Sequence, residues 1–303
     1  MAIVSLWIPV TVAAASFQTV RFMLQKVLSS STLSPAGATF SRFVYSAPLI
    51  LGALAVYLMV SGRSLPSLPG AFWAFAAIGG TAQILATVCV VALFKQRNFA
   101  VGITFKKTEV IQTAIVGLVV LGDRISAAGW CAILIGLAAV LVLSKTPQSE
   151  GPWWKHLTNR AAQLGLGSGV LFAFSAVSYR GASLQLAEVE PVFRAAVTLA
   201  AVVSLQTVFM AVWLFWKDRP QLAKVWASRR VSVWVGLTSM GGSFCWFLAF
   251  TLQNAAYVKA LGQVELILSL LASVLFFRER VTAREIAGMG LLAVSILALV
   301  LAI

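Results

Sequence analysis

Ten apolar runs fill almost the whole 303-residue chain, near 3–27, 36–60, 70–94, 98–121, 125–143, 161–181, 189–216, 231–251, 255–277 and 282–302. Each is close to the ~20 residues that cross a bilayer as a helix. Lipid offers backbone amides no water to bond, so runs of this length must be helical. Barrel strands are shorter and alternate in polarity, which these runs do not. Only 11% of the residues are charged, 60% are hydrophobic, and mean hydropathy is +0.93. A soluble domain carries roughly a quarter charged residues, so a soluble fold is excluded. The first run is not expected to be a cleaved signal peptide, because it lacks a basic start and contains Gln18 and Arg21. The sequence predicts an all-α, multi-pass membrane protein with ten transmembrane helices, placed in a bacterial inner (plasma) membrane.

A net charge of +14 could suggest a nucleic-acid partner, but its distribution points to the bilayer instead. Of 23 Lys and Arg, fourteen fall in or beside the odd-numbered connectors: Lys26, Lys95, Arg97, Lys145, Lys155, Arg160, Lys217, Arg219, Lys224, Arg229, Arg230, Arg278, Arg280 and Arg284. Only Arg63 and Arg124 fall in the even-numbered ones. By the positive-inside rule the odd connectors are cytoplasmic and both termini outside. Trp7, Trp73, Trp153, Trp154, Trp213, Trp216 and Trp234 lie near run ends, where an interfacial belt would sit.

The chain also repeats itself. A shift of 156 residues brings Gly80 onto Gly236, Phe94 onto Phe250, Asn98 onto Asn254, Glu109 onto Glu265 and Thr113 onto Ser269. It also brings 123–127 (DRISA) onto 279–283 (ERVTA). Arg42 meets Arg194 at a shift of 152, and Arg21 meets Arg180 at 159. Two units of five helices follow, 1–144 and 161–303, joined by a linker at 145–160. Five is odd, so the second unit enters the membrane from the opposite side. This inverted repeat is common among secondary transporters.

Each unit ends in a similar stretch, FKQRNFAVGITFKKTEVIQTAIVGLVVLGDRIS at 94–126 and FTLQNAAYVKALGQVELILSLLASVLFFRERVT at 250–282. These resemble the EamA-like proteins of the drug/metabolite transporter superfamily, and the resemblance covers nearly the whole chain. It implies two inverted five-helix repeats around a central cavity, and export or exchange of small metabolites. Relatives commonly carry proline after the motif glutamate, where this chain has Val110 and Leu266; the expectation is that the local kink is absent. Relatives are usually drawn with both termini cytoplasmic, opposite to the charge count, so orientation stays open.

Nine charges lie inside the runs: Arg21, Arg42, Lys106, Lys107, Arg180, Arg194, Lys259, Glu109 and Glu265. At the bilayer centre each costs about 2.5–3.5 kcal/mol, on the order of 20–30 kcal/mol together if all faced lipid. Most must therefore face a wet cavity or one another. Gly102, Lys106, Glu109, Thr113 and Gly117 share one face of the fourth run, matched by Val258, Gly262, Glu265, Ser269 and Ser273 in the ninth. Lys106 and Glu109 can pair at i,i+3. Lys107 points away from Lys106, beside the position that Gln263 occupies in the other unit. Substrate-binding candidates are Lys106, Lys107, Glu109, Glu265, Lys259, Arg42, Arg194, Arg21, Arg180, Gln18 and Gln263. Arg21 and Arg180 could instead snorkel, and Arg194 could pair with Glu190 four residues before it. Gln83 and Gln112 are cavity groups or interhelical glue. Tyr45, Tyr179, Tyr257 and Trp246 could shape the cavity, and the pairs Gly79-Gly80 and Gly241-Gly242 read as close-packing points rather than hinges.

Cys89, Cys131 and Cys245 form no metal or disulfide pattern, and His156 lies in a polar connector. HExxH, GxSxG, Walker and Rossmann signatures are absent, so no enzyme, metal or cofactor is expected. The expected function is secondary transport, export or exchange, of a small polar metabolite, anionic or zwitterionic, by alternating access. Seven inward cations against two acids favour a carboxylate or phosphate. Glu109 and Glu265 are candidates for a proton-coupling site. The alternative is a channel or lipid flippase.

Overall fold

The computed structural model describes residues 2–94, 105–143, 160–268 and 283–301. Asn98, Gly102, His156, Ser269 and Ser273 lie outside them. Among the described residues the chain is helical, without strands: α1 (Ala2–Ser31), α2 (Pro35–Ser61), α3 (Gly70–Leu93), α4 (Glu109–Leu121), α5 (Ala127–Leu143), α6 (Arg160–Leu184), α7 (Pro191–Lys217), α8 (Pro220–Ala227), α9 (Arg229–Leu252), α10 (Ala255–Leu261) and α11 (Ala283–Leu301). By length and composition α2, α3, α6, α7 and α9 can each cross a membrane. The connector between the seventh and eighth runs, 217–230, contains α8.

Local chemistry explains the helix ends. Ser34 caps α2, accepting from Gly37 N at 3.1 Å, with Pro35 at the first helical position. Proline also opens α7 and α8. α4 stops at Gly122, whose φ of +69° only glycine adopts cheaply. There Gly122 N bonds Leu118 O (3.2 Å), the closure of an αL cap, and Asp123 N bonds Gly117 O (3.1 Å). Asn254 caps α10 through Ala256 N at 2.9 Å.

Packing runs between the two halves of the chain. α3 lies along α6, α1 along α9, α5 along α11, and α2 against both α7 and α9. The glycine pairs allow the close approach. A Cβ on Gly79 would stand 2.8 Å from the Tyr179 ring, and one on Gly242 2.9 Å from Phe17 Cβ. Tyr179 stacks on Phe247 in the core, ring centroids 4.3 Å apart. Trp7 is buried in this core rather than at an interface, whereas Trp216 and Trp234 are exposed.

The connectors meet in a consistent pattern. Ser34 N bonds Gln221 Oε1 at 2.9 Å, joining the first and seventh connectors. Arg284 Nε bonds Val142 O at 2.7 Å, beside the ninth and fifth. Arg63 pairs with Glu190 at 3.3 Å, joining the second and sixth. Ser126 N bonds Tyr257 Oη at 3.2 Å, next to the fourth and eighth.

The fourth and ninth runs are broken, which corrects the expectation that loss of proline removes the kink. The backbone turns at Lys107–Thr108, just before Glu109, and at Gly262–Gln263, just before Glu265. Both turns use tighter i→i−3 bonds: Thr108 N to Phe105 O (3.2 Å), Glu265 N to Gly262 O (3.1 Å) and Leu266 N to Gln263 O (2.9 Å). Thr108 Oγ1 supplies a second donor to Phe105 O at 2.7 Å, so the kink keeps its carbonyl satisfied without a proline.

Candidate functional site

The two breaks place charge where helix dipoles favour it. Glu109 lies in the first turn of α4 and Lys259 in the last turn of α10. Glu109 stands between two ammonium groups, with Oε2 3.4 Å from Lys106 Nζ and Oε1 3.6 Å from Lys259 Nζ. Glu265 Oε1 lies 3.4 Å from Lys107 Nζ, and its Oε2 accepts from Gln18 Nε2 at 2.8 Å. Each carboxylate is thus met by a lysine from the other half of the chain. Lys106, Lys107, Glu109 and Lys259 are all buried, so none spends its charge on lipid.

Aromatic rings wrap the lysines. Lys259 Nζ is 5.0 Å from the Trp246 ring centre, 5.3 Å from Phe172 and 5.9 Å from Phe250. Lys106 Nζ is 5.3 Å from the same Phe172 ring. At these distances the ring faces attract the ammonium groups.

Beside this cluster lies a cavity of about 20 Å³. Arg21, Arg42, Lys259, Gln18, Gln83 and Trp246 are among the side chains lining it. It has room for about one water. Arg42 reaches it from α2, held by three hydroxyls: Nε to Ser239 Oγ (2.7 Å), Nη2 to Ser243 Oγ (3.0 Å) and Nη1 to Thr87 Oγ1 (3.3 Å). Arg21 is 4% exposed, so it does not snorkel, and its Nη1 has no hydrogen-bond partner. Lys106, Glu109 and Glu265 stand behind the cavity rather than in its wall. Lys107 and Gln263 line a second, smaller cavity of about 10 Å³.

Arg180 and Arg194 lie elsewhere. Arg180 donates from Nε to Asp123 Oδ2 (2.9 Å) and from Nη1 to the carbonyls of Gln253 (2.8 Å) and Phe250 (3.0 Å). It ties the end of α9 to the loop after α4. Arg194 is buried on α7 with Nε unpartnered. The alternative pairing with Glu190 does not form, because Glu190 faces Arg63.

Sequence reasoning missed the groups that hold these side chains. Ser239 and Ser243 share a face of α9 at i,i+4 spacing, a signal readable once Arg42 is known to need acceptors. Gln206 joins Gln83, Tyr179 and Gly80 O in a buried network (3.0, 3.2 and 3.0 Å) that nothing in the sequence marks.

Residues 159–301 match the EamA-like transporter family. That agrees with the drug/metabolite transporter superfamily named from the motifs. A crystal structure described only as that of a protein has the same fold, with a TM-score of 0.65 at 16% identity over 94% of this chain and 97% of the other. No curated protein matches. The apolar helices, with the family match over the second half of the chain, support an integral, multi-pass membrane protein.

Proposed function

We propose that this chain, whose second half carries the EamA-like transporter signature, is a secondary transporter that exports or exchanges a small anionic or zwitterionic metabolite by alternating access. Lys106, Lys107 and Lys259 surround only two carboxylates where both broken helices meet, and Arg21 and Arg42 join Lys259 in the wall of the adjoining cavity. That observation carries the reading. A low-dielectric site with such an excess attracts anions and fixes their orientation.

Ten crossings in two inverted units are part of the proposal. In each contact between connectors described above, odd meets odd and even meets even, as two opposite faces of a membrane require. The packing pairs also exchange under the repeat: α3 on α6 corresponds to α9 on α1. A metabolite site usually spans hundreds of cubic ångströms, so a cavity of about 20 Å³ fits a closed state that must open to admit substrate. The cross-half pairs Lys107–Glu265 and Lys259–Glu109 would part as the halves rock. Protons are the proposed coupling ion, because protonating either carboxylate releases its lysine toward an anion.

The test is counterflow in proteoliposomes with anionic and cationic metabolites, for wild type and for Lys106→Gln and Glu109→Gln separately. Loss of anion exchange in both supports the site; unchanged transport in both removes it.

A further inference from the structure

If the chamber is a transport site, its wall also says which of the two remaining substrate classes it takes. Every charged side chain that lines it is a cation: Arg21, Arg42 and Lys259. The two nearby carboxylates lie outside this wall and face cations already: Glu109, whose Oε2 has no hydrogen-bond partner, stands between Lys106 and Lys259, and Glu265 meets Lys107 and Gln18. A zwitterion's ammonium would need one of them, or the face of an aromatic ring. The rings of Trp246, Phe172 and Phe250 already hold Lys259. The Gln83 amide oxygen is likewise taken, by Tyr179 Oη (3.0 Å) and Gln206 Nε2 (3.0 Å).

The unsatisfied groups point the same way. Two buried polar atoms on lining residues have no hydrogen-bond partner, Arg21 Nη1 and Trp246 Nε1, and both are donors. Leaving such donors dry is costly unless an acceptor arrives. Arg42 is already braced by Ser239, Ser243 and Thr87, so its guanidinium is held in place before any ligand binds.

We infer that the ligand is a small anion with two or more charged oxygens and no amine, a dicarboxylate or a phosphate monoester, shared between the guanidiniums of Arg21 and Arg42 and the ammonium of Lys259. This rests on the transporter reading and narrows it. An added ammonium would meet three cations and no free acid.

The experiment is counterflow by the full-length protein in proteoliposomes, with labelled succinate, glycerol phosphate, aspartate, alanine and putrescine. Succinate or glycerol phosphate should exchange at least about tenfold faster than aspartate, which is succinate with an ammonium added. The two anions separate carboxylate from phosphate as the preferred oxyanion. Arg21→Gln, and independently Arg42→Lys, should cut that exchange by about tenfold or more, the scale of losing a charge-assisted bond. Exchange of aspartate, alanine or putrescine at an equal or higher rate overturns the amine-free assignment while leaving a transporter. Exchange of none of the five by folded protein contradicts the transporter reading and this inference with it.

Discussion

Lys259 and Glu109 meet across the two halves of the chain, Nζ to Oε1 at 3.6 Å, each at the broken end of a short helix. Lys107 and Glu265 make the reciprocal contact at 3.4 Å. A buried ion pair is costly to break from one side, about 3–5 kcal/mol, because the survivor is left charged and alone. Glu109→Gln strands two lysines at once. It should lower thermal stability in detergent more than Lys107→Gln, which strands Glu265 with Gln18 still bound. Equal melting temperatures would show that the cluster is already solvated.

Proton coupling, if it uses these carboxylates, makes a separable prediction. Glu265→Gln keeps an acceptor for Gln18 but cannot bind or release a proton. Exchange down a concentration gradient should persist, while uptake driven by an imposed pH gradient falls to the level of protein-free vesicles. A pH-driven component that survives both Glu265→Gln and Glu109→Gln assigns coupling elsewhere.

The Arg180–Asp123 pair should matter for stability and little for selectivity. Both side chains are largely buried, and Arg180 also holds two carbonyls at the end of α9. Asp123→Ala should therefore destabilise by a few kcal/mol, though less than a fully buried pair. The pair Arg63–Glu190 has half its side-chain surface in solvent. Its loss should cost about 0–1 kcal/mol. Matched melting curves of Asp123→Ala and Glu190→Ala check the difference.

Close packing between halves can be probed at glycine. Gly79→Val would drive a side chain into Tyr179 and Ser178, which stand 2.8 and 2.9 Å from even a Cβ. Overpacking of this kind costs about 1–3 kcal/mol. Gly52 on α2 has open space around it, so Gly52→Val is the control with little effect. Thermal denaturation of both variants gives the comparison.

Much of this was legible in the sequence because lipid permits so few solutions. Run length fixed α2, α3, α6, α7 and α9 to within a few residues, and an i,i+3 spacing was enough to pair Lys106 with Glu109. The kinks were misread because proline was treated as their cause. Here Thr108 Oγ1 and i→i−3 bonding do the same work. The fates of Arg42 and Arg180 were hidden for another reason. Both are arginines inside apolar runs, and only tertiary placement decides that one meets Ser239, Ser243 and Thr87 while the other meets Asp123. Glu190 shows the same limit, since helical spacing favoured Arg194 and the fold delivered Arg63.

The central claim is that the cationic chamber opens to one side of the membrane at a time. Ala176 lines it with a small side chain and no bond to lose. Ala176→Cys, in a protein whose Cys89, Cys131 and Cys245 are replaced by alanine, can be treated with a membrane-impermeant thiol reagent from either face of sealed vesicles. The account predicts labelling from each face separately, with saturating transported anion changing the ratio of the two rates. Failure to label from either face, or from one of them under every condition, would contradict it.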